Sequence, residues 1–245
     1  MNKTKTIIIL IFRAICIILF PLAYLPIPFF NNYAGEITFF TVQSNILVLI
    51  TMVILSLYDI LALSGKFIVT PKWVKRLKLV SSTSITLTFV VFGIILTPIL
   101  CIEGQEKVVL SYSSIVMHQF IPLVAIFDWF LDDPNDSIHF GNIPIALIFP
   151  LYYFIFTLIV SSLGVKYPSY ENGQTVQEDF PYFFLDYKEN SWFKITPSEN
   201  LVDYKIGVFY WLIVMVIILS FTSFMLILAK NGQYYFKNKK AIKNV

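Results

Sequence analysis

Six long apolar runs divide the chain, at about 7–30, 38–63, 78–101, 112–131, 143–165 and 206–229. Each is long enough to cross the roughly 30 Å hydrocarbon core of a bilayer as a helix, which takes about 20 residues. None alternates apolar and polar positions with period two, as a membrane barrel would require. The pattern predicts an all-α polytopic membrane protein. Its six transmembrane helices form one bundle domain over 1–245, with a long loop at 166–205. The first run exceeds the apolar core of a signal peptide and no A-x-A site follows it, so it is expected to be retained. Pro21, Pro26 and Pro28 are expected to bend it.

Composition narrows the class further. Apolar residues make up 57% of the 245 positions and charged residues only 13%. A soluble domain carries about 25% charge, so a soluble globule would lack the polar side chains to cover itself. The same numbers exclude a disordered chain. The net charge of +3 is small, and the basic residues sit at run ends, which argues against a nucleic-acid binder. Cys16 and Cys101 are too few for a disulfide framework.

The basic residues set the expected orientation. Lys3 and Lys5 precede the first run. Lys66, Lys72, Lys75, Arg76 and Lys78 follow the second, and Lys230, Lys237, Lys239, Lys240 and Lys243 follow the sixth. With six spans these segments share one side, and Lys and Arg mark the cytoplasmic one. Both termini are therefore expected in the cytoplasm. The 166–205 loop then lies outside. Arg13 sits about 9 Å into the first run at helical rise, and is expected to snorkel to the cytoplasmic interface.

Polar residues inside a span cost energy unless paired, so they mark candidate chemistry. The second run opens Phe39-Phe40-Thr41-Val42-Gln43-Ser44-Asn45, with Thr41, Ser44 and Asn45 on one helical face. The fourth holds Ser114, His118, Gln119 and Pro122. Both runs enter from the outer side, which puts a hydroxyl and an imidazole at similar depth. Interhelical hydrogen bonding alone would account for each. Together they also form a plausible activated nucleophile, the imidazole taking the hydroxyl proton. Gln43, Ser44, Asn45, Gln119 or free helix N–H groups could then hold the oxyanion or bind substrate. Asp128 lies about 15 Å deeper than His118 and cannot orient that ring. It is expected at the cytoplasmic interface beside Trp129. Glu103, Glu106, Asp186 and Asp203 could reach the imidazole, and the sequence does not choose among them. No metal ligand set and no cofactor motif is seen. The hydroxyls Ser81, Ser82, Thr83, Ser84, Thr86 and Thr88 of the third run are read as packing and interhelical bonding. The aromatic-rich 166–205 loop is expected to fold back above Thr41 and His118, as an interfacial anchor or as a substrate wall or lid.

Three segments resemble one family. Phe-Phe-Thr41-Val-Gln-Ser-Asn45 is similar to the F-T-x-Q-S-N opening of a span in the androgen-induced gene 1 (FAR-17a-like) membrane proteins and their bacterial branch. His118-Gln-Phe-Ile-Pro122 with Asp128-Trp129 resembles that family's H-x-x-x-P…D-W span. Pro181-Tyr-Phe-Phe-Leu-Asp186 resembles its Y-P-F-L-D loop, with Phe183 departing from the pattern. Span count and motif order agree over most of the chain. The animal members are multi-pass hydrolases of esters between fatty acids and hydroxy fatty acids, with a Thr nucleophile and a His. The resemblance implies those roles for Thr41 and His118, with membrane lipid as substrate and no cofactor. A non-enzymatic carrier or scaffold, and a lipid acyltransferase using the same residues, are the competing expectations.

Overall fold

The computed structural model describes residues 3–23, 37–66, 69–102, 104, 106–132, 137–171, 174–196 and 205–243. Among these, six helices are long and apolar enough to cross a membrane: Lys3–Leu22, Phe40–Leu63, Lys72–Ile102, Tyr112–Leu131, Phe140–Ser162 and Val208–Lys239. The chain is an all-α integral membrane protein. Pro21 falls in the last turn of the first helix, while Pro26 and Pro28 lie outside the described residues. The third helix is central and packs against the second, fourth, fifth and sixth. The first packs against the second and fourth.

The burial pattern is that of a bundle dissolved in lipid. Large apolar side chains such as Ile18, Leu57, Ile94, Phe127, Ile155 and Phe221 are exposed on the helix faces. The interior mixes apolar side chains such as Met52, Leu79, Ile85 and Trp129 with small hydroxyl residues: Ser44, Ser81, Ser82, Thr83, Ser84, Thr88 and Ser223 are buried. Lipid tails give helices no hydrophobic reason to associate, so close packing of small residues and interhelical hydrogen bonds take over. Thr83 Oγ1 meets Ser223 Oγ at 3.2 Å, and Ser44 Oγ meets Thr88 Oγ1 at 2.9 Å. Of the third-run hydroxyls Thr83 and Thr88 thus bond across helices, while Ser81 and Thr86 bond back to the Lys78 and Ser82 carbonyls of their own helix and Ser84 Oγ is buried without a partner among the described residues.

One end of the bundle carries a charge cluster, and here Arg13 departs from expectation. It does not snorkel: its side chain is 2% exposed. Its Nη1 donates to Asp59 Oδ2 at 2.8 Å, and its Nε and Nη2 donate to Asp128 Oδ1 at 3.1 and 2.8 Å. Lys78 Nζ lies 3.2 Å from Asp128 Oδ2 and 3.2 Å from Asp132 Oδ2. Lys230 donates to the carbonyls of Trp129 and Asp132. A guanidinium inside a bundle finds fixed carboxylates on neighbouring helices cheaper than bending to the interface, because the partners remove the cost of burying its charge. Asp128 likewise is buried within the protein, as the acceptor of two cations. Arg13, Lys78 and Lys230 balance Asp59, Asp128 and Asp132, and together they tie five of the six helices.

The long loop packs on the opposite end. It holds two short antiparallel hairpins, Tyr167–Glu171 with Gln174–Glu178, and Ile195–Thr196 with Lys205–Ile206. Phe180, Phe184 and Leu185 are buried against Phe40, Leu87, Val91 and Tyr153 of the bundle. Lys166 and Lys188 both pair with Asp179. Hydrogen bonds from Lys166 and then Lys188 hold that carboxyl below its usual range. Any stability it contributes is therefore present above the ordinary carboxylate pKa and lost as pH falls through the lowered one.

Gly207 joins loop to sixth helix. Its N–H donates to Lys194 O at 2.9 Å, and a Cβ there would sit 2.5 Å from the Trp192 carbonyl oxygen. Backbone cannot yield as a side-chain tip can. Gly207→Ala should cost about 1–3 kcal/mol and loosen the loop. Limited proteolysis should then cut the 166–205 segment faster than in the wild type, and equal rates would contradict this docking.

Candidate functional site

Thr41 stands in the first turn of the second helix. Phe39 precedes it in extended conformation (φ −78°, ψ 143°) and gives the helix no side-chain cap. The first amides of a helix have no intrahelical acceptor. Tyr182 of the loop stands beside this end of the helix, its phenol near the Phe40 and Thr41 amides and the Thr41 side chain. Burial pushes the Tyr182 phenol above its usual range, against the pull of those polar neighbours, so it is an O–H donor at neutral pH. Tyr182 is held by edge contact with Phe39 (6.0 Å) and by stacking on Phe184 (5.1 Å, 7°). Tyr153, from the fifth helix, donates its hydroxyl to the Thr38 carbonyl at 3.1 Å.

Thr41 also lines a cavity between the second, third, fifth and sixth helices and the loop. It encloses about 630 Å³ of unfilled space, counting its open mouth. Its walls are apolar, among them Leu87, Phe92, Leu96, Phe184 and Met215. The polar exceptions are Thr41, Thr88 and the phenols of Tyr153 and Tyr182. Tyr182, Phe184 and Leu185 belong to the long loop, so that loop forms part of the wall.

His118 occupies a locally unwound stretch. Val116–Phe120 is π-helical, and so is Val91–Leu96 on the third helix. Each lies just before a proline, Pro122 and Pro98. A proline ring clashes with the carbonyl four residues back, here His118 and Ile94, and a wider turn relieves that clash. Such π segments often accompany functional sites. The two meet: the Phe92 ring stacks on the His118 imidazole at 3.7 Å and 15°. Nδ1 of His118 lies 3.1 Å from the Ser114 carbonyl oxygen and 3.3 Å from its Oγ. A carbonyl only accepts, so Nδ1 carries the proton and Nε2 keeps its lone pair. The group orienting the ring is thus a backbone carbonyl of its own helix. Among the acidic candidates, Asp186 caps the short helix Tyr187–Asn190 and Glu106 begins Glu106–Val109, while Glu103 and Asp203 lie outside the described residues.

Asn45 links the two halves. It is fully buried, and Nδ2 donates to the Thr41 carbonyl at 2.8 Å and to the Met117 carbonyl at 3.0 Å. The Thr41 turn and the His118 turn are thereby held side by side. Among the described residues no hydrogen bond joins the Thr41 hydroxyl to the imidazole, and Phe92 forms part of the cavity wall where His118 does not.

The residues expected to bind an oxyanion are placed differently. Both Nδ2 hydrogens of Asn45 are committed to backbone. Ser44 Oγ bonds the Thr41 carbonyl at 3.0 Å and Thr88 at 2.9 Å. Gln43 is half-buried with an unpaired Oε1 outside the cavity lining, and Gln119 is exposed on its helix. Sequence reading missed Tyr182, Tyr153 and Phe92 as neighbours of the site. Tyr182 lies inside the loop motif Pro181-Tyr-Phe-Phe-Leu-Asp186, but nothing in that string points it at Thr41. No protein-family model, curated protein or solved structure matches this chain.

Proposed function

We propose that the chain is a membrane-embedded hydrolase of lipid esters, with Thr41 as nucleophile and His118 as its base. The observation that carries this reading is the Thr41 hydroxyl in the wall of an apolar cavity. A cavity with apolar walls and a few convergent polar groups fits a ligand that is mostly hydrocarbon with one polar function. A fatty acyl ester is such a ligand. The reading is also what the resemblance to the androgen-induced gene 1 family implies.

His118 supports it through its tautomer. A neutral imidazole with a free Nε2 can take the proton of an attacking hydroxyl. Catalytic hydrogen bonds are often loose without substrate and tighten in the complex. In this proposal an acyl chain entering the cavity displaces the Phe92 ring and lets the imidazole reach Thr41. The charge cluster does not favour a carrier instead. Its cations Arg13 and Lys78 are paired with fixed carboxylates, and Asp59 lies eighteen residues along the helix from Thr41, about 27 Å at helical rise.

The test is covalent. An alkyl fluorophosphonate incubated with the purified full chain in detergent should label one site, and peptide mapping should find the label on Thr41. Label found only elsewhere would overturn the assignment of the nucleophile.

We infer that both termini are cytoplasmic, from the Lys and Arg bias of the segments around the first, second and sixth helices, and that the membrane is a bacterial plasma membrane, as the resemblance to the family's bacterial branch implies. A reporter inserted near Thr70 should then be active in the cytoplasm, and one near Asn172 outside it. The reverse result would put the Thr41 cavity in the inner leaflet.

A further inference from the structure

An ester carbonyl attacked by Thr41 gathers negative charge on its oxygen, and that charge needs donors about 2.7–3.1 Å away. The side-chain amides nearest in sequence cannot supply them. Asn45 has spent both Nδ2 hydrogens, and Gln43 and Gln119 stand outside the cavity. Two phenols remain in the wall. Tyr153 already donates its hydroxyl hydrogen to the Thr38 carbonyl. Tyr182 differs: it shares the cavity wall with Thr41, and its phenol stands near the Thr41 side chain and the Phe40 and Thr41 amides.

We propose that Tyr182 is a catalytic residue of this site, its O–H donating to the carbonyl oxygen of an ester held at Thr41. The proposal rests on the Thr41 reading above. Thr41 Oγ bonds to the carbonyl carbon, its proton passes to His118 Nε2, and the C=O π pair moves onto oxygen. Tyr182 donates a hydrogen bond to that oxygen and keeps its proton. The C–O bond to the alcohol then breaks as His118 returns the proton to the leaving oxygen. A water molecule repeats the sequence on the acyl-Thr41. The positive end of the second helix lies close behind Tyr182 and favours negative charge on the carbonyl oxygen that the phenol binds. The stacked Phe184 and the edge contact with Phe39 fix the ring, so little reorganisation accompanies the reaction.

The experiment measures the rate of Thr41 phosphonylation by an alkyl fluorophosphonate on the full chain in detergent. There Thr41 Oγ displaces fluoride at phosphorus and the phosphoryl oxygen takes the carbonyl oxygen's place. Tyr182→Phe keeps the ring and loses the hydroxyl. It should slow labelling by about 100-fold, the usual effect of losing one such donor. Competition by a saturated fatty alcohol, which reports cavity occupancy alone, should be unchanged. A ring-fluorinated tyrosine at 182, a stronger acid assayed at a pH where it stays protonated, should label at least as fast as wild type. Tyr182→Phe labelled at the wild-type rate would overturn the role of Tyr182 and leave Thr41 standing. Slow labelling with an equal loss of alcohol competition would reduce Tyr182 to a wall residue and overturn it too. A fluorinated variant slower than wild type would do the same. A wild-type chain with no label on Thr41 would instead sink the nucleophile itself and this assignment with it.

Discussion

Thr41→Ala and His118→Ala should each abolish fluorophosphonate labelling and lipid ester hydrolysis, by on the order of 10⁴-fold or more, and the double variant should be no worse than either. The losses do not add because a nucleophile without its base, and a base without its nucleophile, each leave the same residual chemistry. Thr41→Ser should keep part of the activity. The hydroxyl survives, and the lost methyl only frees the rotamer. Neither alanine variant should unfold the bundle. An interhelical hydrogen bond in a membrane is worth about 0.6–2 kcal/mol, and the bonds that fix this corner run through Asn45 and Ser44. Unfolding temperature in detergent checks that first. Wild-type hydrolysis persisting in Thr41→Ala would mean that the nucleophile lies elsewhere or that the activity is a contaminant.

The spans were legible because membrane helices must satisfy every backbone group within themselves, so length and apolarity decide. The second and fourth helices begin and end within about two residues of the apolar runs that predict them. The third begins at Lys72, six residues before the apolar run, because its first turns are basic and apolarity does not mark them. The sixth runs on past Ala229 to Lys239 for the same reason: the residues turn polar while nothing stops the helix. The first hairpin had a readable signal, since Asn172-Gly173 between Glu171 and Gln174 is the commonest two-residue hairpin sequence.

The site was legible only in part. Thr41 and His118 stand out as polar residues in apolar runs. Their neighbours do not, because Tyr182 approaches Thr41 only once the loop has folded back, and Phe92 meets His118 only through two widened turns. The prolines that cause those turns are visible in the sequence, but their consequence is a contact between distant helices. Arg13 shows the same limit. Its depth is readable from the sequence, and its partners, 46 and 115 residues away, are not.

Asp128→Asn should be the most destabilising single change of those considered. Both carboxylate oxygens of Asp128 are engaged, Oδ1 by Arg13 at 2.8 Å and Oδ2 by Lys78 at 3.2 Å. An amide keeps the shape and loses the charge. Among the described residues, Arg13, Lys78 and Lys230 are then left facing the carboxylates of Asp59 and Asp132. A buried ion pair contributes little net stability when whole, but removing one partner costs about 3–5 kcal/mol because the other charge stays buried. The unfolding temperature of Asp128→Asn in detergent should therefore drop well below the wild type. Combining it with Arg13→Gln removes one charge of each sign, so the double variant should recover much of the loss, and the two changes should be strongly non-additive. Asp128→Asn as stable as wild type, or a double variant that loses the sum of the two, would mean that the cluster does not hold the five helices together. The Thr41 cavity lies at the other end of the second helix, about 27 Å from Asp59. The folded fraction of Asp128→Asn should accordingly label at the wild-type rate, which separates the charge cluster, as the brace of the bundle, from the chemistry at Thr41.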